Sequence, residues 1–218
     1  MTDVADEPAR PRRGRPVALC PEQRRERILD ALGEVFRAAG MSGTTMAAVA
    51  RQAGMSKRTL YDVFSDRAAL FGAYLQRLRS DFVQPLDEAA LHLPLEERLR
   101  HLLAPRSCPT SFDLPLAILR AMIAEAPERP DMARSFLDEG PRAIQALIRA
   151  ELDRAVARGE IGIADTGAAA TLLSDMIRPS PLEVLIDPGE LPDDPAVQAR
   201  FNLAIEVFLR GIACPELR

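Results

Sequence analysis

Two short basic clusters carry the chemistry this sequence is equipped to do. Arg12-Arg13-Gly14-Arg15-Pro16 lies in the first stretch of the chain, and Ser56-Lys57-Arg58-Thr59 lies between Gly54-Met55 and the apolar Leu60. Guanidinium and ammonium groups bind phosphate oxygens, and an arginine also donates two parallel hydrogen bonds to guanine in the major groove. A glycine between arginines lets a backbone lie along a narrow minor groove, where negative potential is enhanced in A·T-rich DNA. Arg13 and Arg15 are the candidates for that contact, with a solvated tail as the alternative. Competing chemistries are poorly supplied. The cysteines Cys20, Cys108 and Cys214 and the histidines His92 and His101 have neither disulfide-framework nor zinc-clip spacing. No nucleophile is accompanied by a base, so no catalytic residue, metal or cofactor is expected.

The charge distribution supports a polyanion-binding first third. Net charge is -4 over 218 residues, but residues 10–80 hold 14 Lys/Arg against 6 Asp/Glu, while residues 81–218 hold 14 against 23. A basic segment joined to an acidic remainder suggests a module that meets a polyanion and a body that does not. With 47% hydrophobic residues the chain can bury a substantial core. No apolar stretch approaches the roughly 18 to 20 residues of a membrane span, and the start lacks a signal-peptide apolar region, so no membrane partner and a cytoplasmic location are expected.

The elements that must position the second cluster read as helices. Alanine occurs 34 times, β-branched runs are missing and no alternating strand pattern exceeds about five residues, so the fold class is all-α. The spacing predicts a first helix from Glu22 to Ala39, with Pro21 in its first turn, Gly40 as its stop and Ile28, Leu29, Leu32, Val35 and Phe36 as its core stripe. A second helix follows Thr44 or Thr45, carries Met46, Val49, Ala50 and Ala53, and stops at Gly54. A third is capped by Ser56, exposes Lys57, Arg58 and Thr59, and faces Leu60 and Phe64 inward. Two short helices joined by Gly54-Met55-Ser56 form a helix-turn-helix, whose second helix fits a major groove. A fourth helix follows Ser65, with Arg67 at its start, and continues through Phe82. Further helices are expected at Leu95–Leu103, Phe112–Ala126, Asp131–Arg158 with a break near Gly140-Pro141, Thr166–Arg178 and Pro195–Ile212.

The run from Thr44-Thr45-Met46 through Ala53-Gly54-Met55-Ser56-Lys57-Arg58-Thr59-Leu60-Tyr61-Asp62-Val63-Phe64 to Leu70 resembles the DNA-binding signature of the TetR family of bacterial transcription regulators, and the Arg-Gly-Arg-Pro core of the arm resembles an AT-hook. The family resemblance implies an all-helical homodimer. Its N-terminal domains would read a palindromic operator in double-stranded DNA, and its C-terminal domains would bind a small-molecule effector and each other, giving a repressor released by an inducer. Carried onto this sequence, it implies phosphate contacts from Thr45, Tyr61 and Arg67 beside the base-reading turn of Ser56, Lys57, Arg58 and Thr59; Tyr61 could also be core. Arg58 and Val63 depart from the usual residues there, and Asp62 is acidic on the groove side. The expected organisation is a disordered basic arm over residues 1–20, a DNA-binding domain over 21–70 and an effector-binding and dimerisation domain over 71–218.

In that larger domain, apolar stripes name candidates more loosely. Leu116, Leu119, Ile123, Phe136, Ile144 and Leu173 could line an effector pocket, with Arg120, Glu125 or Asp175 as polar anchor. Leu172 and Met176, with Phe201, Ile205 and Phe208 of the last helix, could form a four-helix dimer interface, burial inside the subunit being the alternative. A DNA-architectural protein without an effector, or the targeting module of a DNA-processing enzyme, are the competing functional classes.

Overall fold

Cys20 and Pro21 start the first helix: the Cys20 thiol accepts from the Gln23 amide at 3.5 Å, the Gln23 side chain accepts from the Cys20 amide at 3.2 Å, and Pro21 fills a first-turn site that needs no donor. The computed structural model describes residues 19–80, 82–105, 113–178, 181–187 and 193–213. Arg13 and Arg15 lie outside the described residues. Helix α1 (Pro21–Gly43) breaks at Gly40, whose φ of 63° an L side chain rarely adopts, and one further turn follows. Helices α2 (Met46–Gln52), α3 (Lys57–Val63) and α4 (Arg67–Ser80) complete the first unit.

Its core is made by Ile28, Leu29, Leu32 and Phe36 of α1, Val49 and Ala50 of α2, Leu60 of α3, and Leu70, Phe71 and Tyr74 of α4. Full burial of such side chains contributes about 1.5 to 3 kcal/mol each. Phe36 meets Phe71 edge to face with ring centroids 6.4 Å apart. Two more helices join this core: α6 (Asp113–Glu125) inserts Ile118 and Met122, and α7 (Pro130–Leu137) packs Met132 and Phe136 against it. The first unit is therefore tied to the rest of the chain by apolar burial as well as by α4.

A second core joins α5 (Leu95–Leu103), α8 (Ala143–Ala157), α9 (Thr166–Ile177) and α11 (Asp194–Ile212) through Leu99, Ile148, Leu152, Leu173, Phe201 and Ile205. Arg98 is completely buried in this region. Its guanidinium donates to Glu151 Oε2 at 3.1 Å, to both carboxylate oxygens of Glu160 at 3.1 Å and to the Leu93 carbonyl at 2.6 Å. Such a charge is tolerated in a core only because each donor group has a partner.

The expected break at Gly140-Pro141 takes a different form. Asp138–Arg142 make a π-type turn that joins α7 to α8. Pro141 has no amide hydrogen and its ring would collide with a carbonyl one α-turn earlier, so a widened turn absorbs it without ending the helix. This turn packs on α4, where Gln76 donates to Glu139 Oε2 at 2.9 Å and Arg79 to the Glu139 carbonyl at 2.6 Å. A six-residue helix, α10 (Pro181–Ile186), lies on α6, with Arg120 donating to the Leu185 carbonyl at 2.9 Å. Among the described residues there is no strand, only an isolated bridge between Ile161 and Ala213, and no helix long and apolar enough to cross a membrane.

Candidate nucleic-acid interface

Each helix of the helix-turn-helix is fixed by its own caps. Thr45 Oγ1 accepts from the Ala48 amide at 3.1 Å and starts α2. Gly54, at φ 67°, reverses the chain, and the Met55 amide returns to the Ala50 carbonyl at 2.9 Å. Ser56 Oγ accepts from the Thr59 amide at 3.0 Å and starts α3, while Leu60 is fully buried beneath it. With its cap and its anchor both set, the seven-residue α3 has one orientation available.

That orientation exposes Lys57, Arg58, Tyr61 and Asp62. Tyr61 is 52% exposed, which removes the core alternative for it. Thr59 is half-buried, and its hydroxyl lies 2.9 Å from Ser56 Oγ, so it supports the cap before anything else. Thr45 is exposed at the start of α2, but its hydroxyl is held by the cap. The Asp66 carboxylate accepts from the Ala69 amide at 2.8 Å; this bond, with a second from Ser65, holds it below the usual carboxylate range. It thereby caps the start of α4.

Arg67 is placed differently from the phosphate grip expected of it. It turns inward: Nη2 donates to the Met41 carbonyl, the guanidinium lies 5.4 Å over the Phe71 ring, and Nε is buried without a hydrogen-bond partner among the described residues. Burial, reinforced by Arg129 and opposed by Glu125, pulls its pKa below the usual guanidinium value. The turn after Gly40 leaves terminal carbonyls of α1 in need of a donor, and Arg67 supplies one. Nothing local in the sequence signals this, since the acceptor lies 26 residues away along the chain. Arg25 covers the Phe64 ring at 5.0 Å and braces the end of α3.

This geometry has known counterparts. Residues 28–74 match the model for bacterial regulatory proteins of the tetR family, and residues 113–211 match that for the AefR-like transcriptional repressor, C-terminal domain. The chain belongs to the TetR family of bacterial transcription regulators. Among solved structures, a TetR-family transcriptional regulator from Mesorhizobium loti is 20% identical, covering 90% of this chain and 100% of its own, with a TM-score of 0.61. A TetR transcriptional regulator from Agrobacterium tumefaciens is 24% identical, covering 88% and 96%, with a TM-score of 0.63. The flavonoid-responsive regulator FrrA is 22% identical, covering 89% and 99%, with a TM-score of 0.62. These likenesses show a shared fold. No curated protein sequence matches the chain.

In this TetR-family chain the residues expected at an effector pocket do not converge. Ile144 and Leu173 are buried in the second core and Phe136 packs on the first. Leu116 and Leu119 are half-buried, Ile123 is exposed, and Arg120 is engaged with α10. A separate open cavity of about 460 Å³ lies between α1, α4 and α7, lined by Arg25, Phe64, Gly72, Gln76, Ser135 and Glu139, none of them expected there. The dimer candidates also divide. Phe201, Ile205 and Phe208 are buried inside the subunit and Met176 packs against the same core. Helix α11 is apolar on more than one face, and periodicity alone does not say which face the subunit covers. The apolar side chains left outward on these two helices are Leu172 at 57%, Leu203 at 61% and Val207 at 51% exposure.

Proposed function

We propose that this chain is a ligand-responsive, homodimeric DNA-binding regulator, a repressor released from a palindromic operator by a small-molecule inducer. The observation that carries the reading is the outward first turn of α3, where Lys57 and Arg58 are exposed on a helix fixed by Ser56 and Leu60. Residues 21–70 form the DNA-binding domain and residues 71–218 the effector and dimerisation domain, with Arg13 and Arg15 of the preceding arm reaching the minor groove. Lys57 and Arg58 read base edges, with Tyr61 and Thr45 on the flanking phosphates. Leu172, Leu203 and Val207 face their counterparts across a twofold axis, which matches an operator of two inverted half-sites.

An inducer acts by preferring a separation of the two recognition helices that the operator does not fit. The structure supports a route for this: α6 and α7 belong to the same core as the helix-turn-helix, and the π-type turn holds α4 through Glu139. The similarity of residues 113–211 to a repressor C-terminal domain supports repression.

The test is footprinting of the region upstream of the chain's own gene, with and without a metabolite extract. One or a few protected palindromes that disappear with an active fraction are expected; broad protection of A·T-rich DNA would make the protein architectural. Coupling is reciprocal, so equal affinity for the isolated inducer with and without operator would overturn the mechanism.

A further inference from the structure

Asp62 is out of place on a surface that meets phosphates. On a helix advancing about 100° per residue, Leu60 defines the buried direction of α3, and Arg58 and Asp62 fall about 160° to either side of it. They are the two most outward positions of the helix. Tyr61 stands to one flank, about 100° from Leu60. Arg58 and Asp62 also have the i,i+4 spacing of an intrahelical ion pair. Elsewhere that spacing is used: Arg149–Asp153, with the same order of charges, closes to 3.7 Å, and Arg142–Asp138 and Arg100–Glu96 close to 2.8 Å. Arg58 and Asp62 form no ion pair or hydrogen bond with any described residue. A donor fork and a carboxylate acceptor thus stand open, side by side, at the crest of the helix.

We infer that Asp62 is a specificity-determining residue that accepts a hydrogen bond from the exocyclic amino group of a cytosine in the major groove, paired in function with Arg58 on a guanine. The inference rests on the reading of α3 as a recognition helix. The four residues from Arg58 to Asp62 rise about 6 Å, close to two base-pair steps of about 3.4 Å, so the two side chains address different base pairs of one half-site. A carboxylate offers only acceptors. Of the base edges in that groove, guanine and thymine present acceptors and repel it, adenine sets its N6 donor beside the N7 acceptor that repels a carboxylate, and cytosine N4 presents a donor with no ring acceptor next to it. Its charge also repels the backbone, which lowers affinity for every sequence lacking the correctly placed amino group. Asp62 therefore widens the gap between operator and bulk DNA by weakening the wrong complexes. Its side chain is short, so it reads a base only where the helix lies closest to the groove floor, and the position opposite Leu60 is that place.

The experiment uses the full chain and random-sequence duplexes. Half-sites are selected with the unaltered protein, Asp62→Ala and Asp62→Asn, and affinities are then measured on the selected duplex, its single-base variants and a scrambled duplex. Far-UV circular dichroism confirms that both variants fold. The unaltered protein is expected to select a guanine and, within about three base pairs of it, a cytosine whose replacement weakens binding about tenfold. Asp62→Ala should lose the cytosine preference, keep the guanine and bind scrambled duplex several-fold more tightly. Asp62→Asn should move the preference toward adenine, which an amide contacts through two bonds. If Asp62→Ala strengthens binding to every duplex by one common factor, or if the selected half-site has no such cytosine, the assignment is overturned while the regulator reading stands. Selection of no motif at all by the unaltered protein would overturn the regulator reading itself.

Discussion

Gly33→Ala tests how tightly the recognition unit is built. Gly33 sits on the buried face of α1, where a Cβ would lie 2.6 Å from Tyr74 Oη and 3.3 Å from its ring carbon Cζ. The first distance is far inside contact, so one of the helices α1 and α4 must give. The Tyr74 ring cannot easily swing away: it is 1% exposed, and the Arg77 guanidinium lies 5.1 Å over it. Alanine gains about 1 kcal/mol over glycine in a helix interior. Overpacking a core costs about 1 to 3 kcal/mol, and a 2.6 Å approach to a ring that cannot swing puts this site in the upper half, about 2 to 3 kcal/mol, so the expected net loss is about 1 to 2 kcal/mol. That corresponds to a fall in melting temperature of about 2 to 8 °C for a chain of this size. Tyr74→Phe removes the nearest atom and, combined with Gly33→Ala, should recover most of the loss, giving a coupling of about 1 kcal/mol in a double-mutant cycle. Urea unfolding followed by far-UV circular dichroism measures all four proteins. A Gly33→Ala protein as stable as the parent, or strictly additive effects in the cycle, would refute the close approach of α1 and α4.

Three further outcomes are expected. Arg98→Ala takes the guanidinium from Glu151 Oε2 and from Glu160, leaving the buried Glu151 with Arg154 alone, and should cost about 3 kcal/mol in the same unfolding assay, the low end for a broken buried pair, whereas an exposed ion pair would lose less than about 1 kcal/mol. Leu172→Glu and Val207→Glu should leave the fold intact yet shift sedimentation from dimer to monomer at micromolar concentration, and an unchanged dimer would place the interface elsewhere. Ser56→Ala removes the cap of α3 at a cost of about 1 kcal/mol and should weaken binding to all operator variants alike, so an altered base preference would give Ser56 a direct reading role.

Where the governing contacts are local, the sequence was sufficient. Ser56, Gly54 and Leu60 announce α3 within a few residues, and the limits of Leu95–Leu103 follow from its periodicity alone. Helix α10 escaped notice because six residues beginning at a proline hold less than two turns of pattern. Partners distant along the chain could not be read. Arg67 resembles a free basic residue at a helix start until the Met41 carbonyl is brought to it, and nothing near Arg98 announces Glu151 and Glu160. The last helix shows the same limit: Phe201, Ile205 and Phe208 are as apolar as Leu203 and Val207, but only packing against α5 and α9 decides which set the subunit buries. A pocket is harder still, because apolar residues that line a cavity and apolar residues that fill a core have the same composition.

Arg58 decides whether the crest of α3 reads bases in a major groove. Affinity of the parent and of Arg58→Ala should be compared on the selected operator and on duplexes carrying every single-base change in one half-site. The expected result is a loss of about 1 to 3 kcal/mol on the operator, with discrimination relaxed at one base position and retained at the others. Weakening by the same factor on every duplex, or no weakening, would take Arg58 off the base edges and α3 out of the reading role.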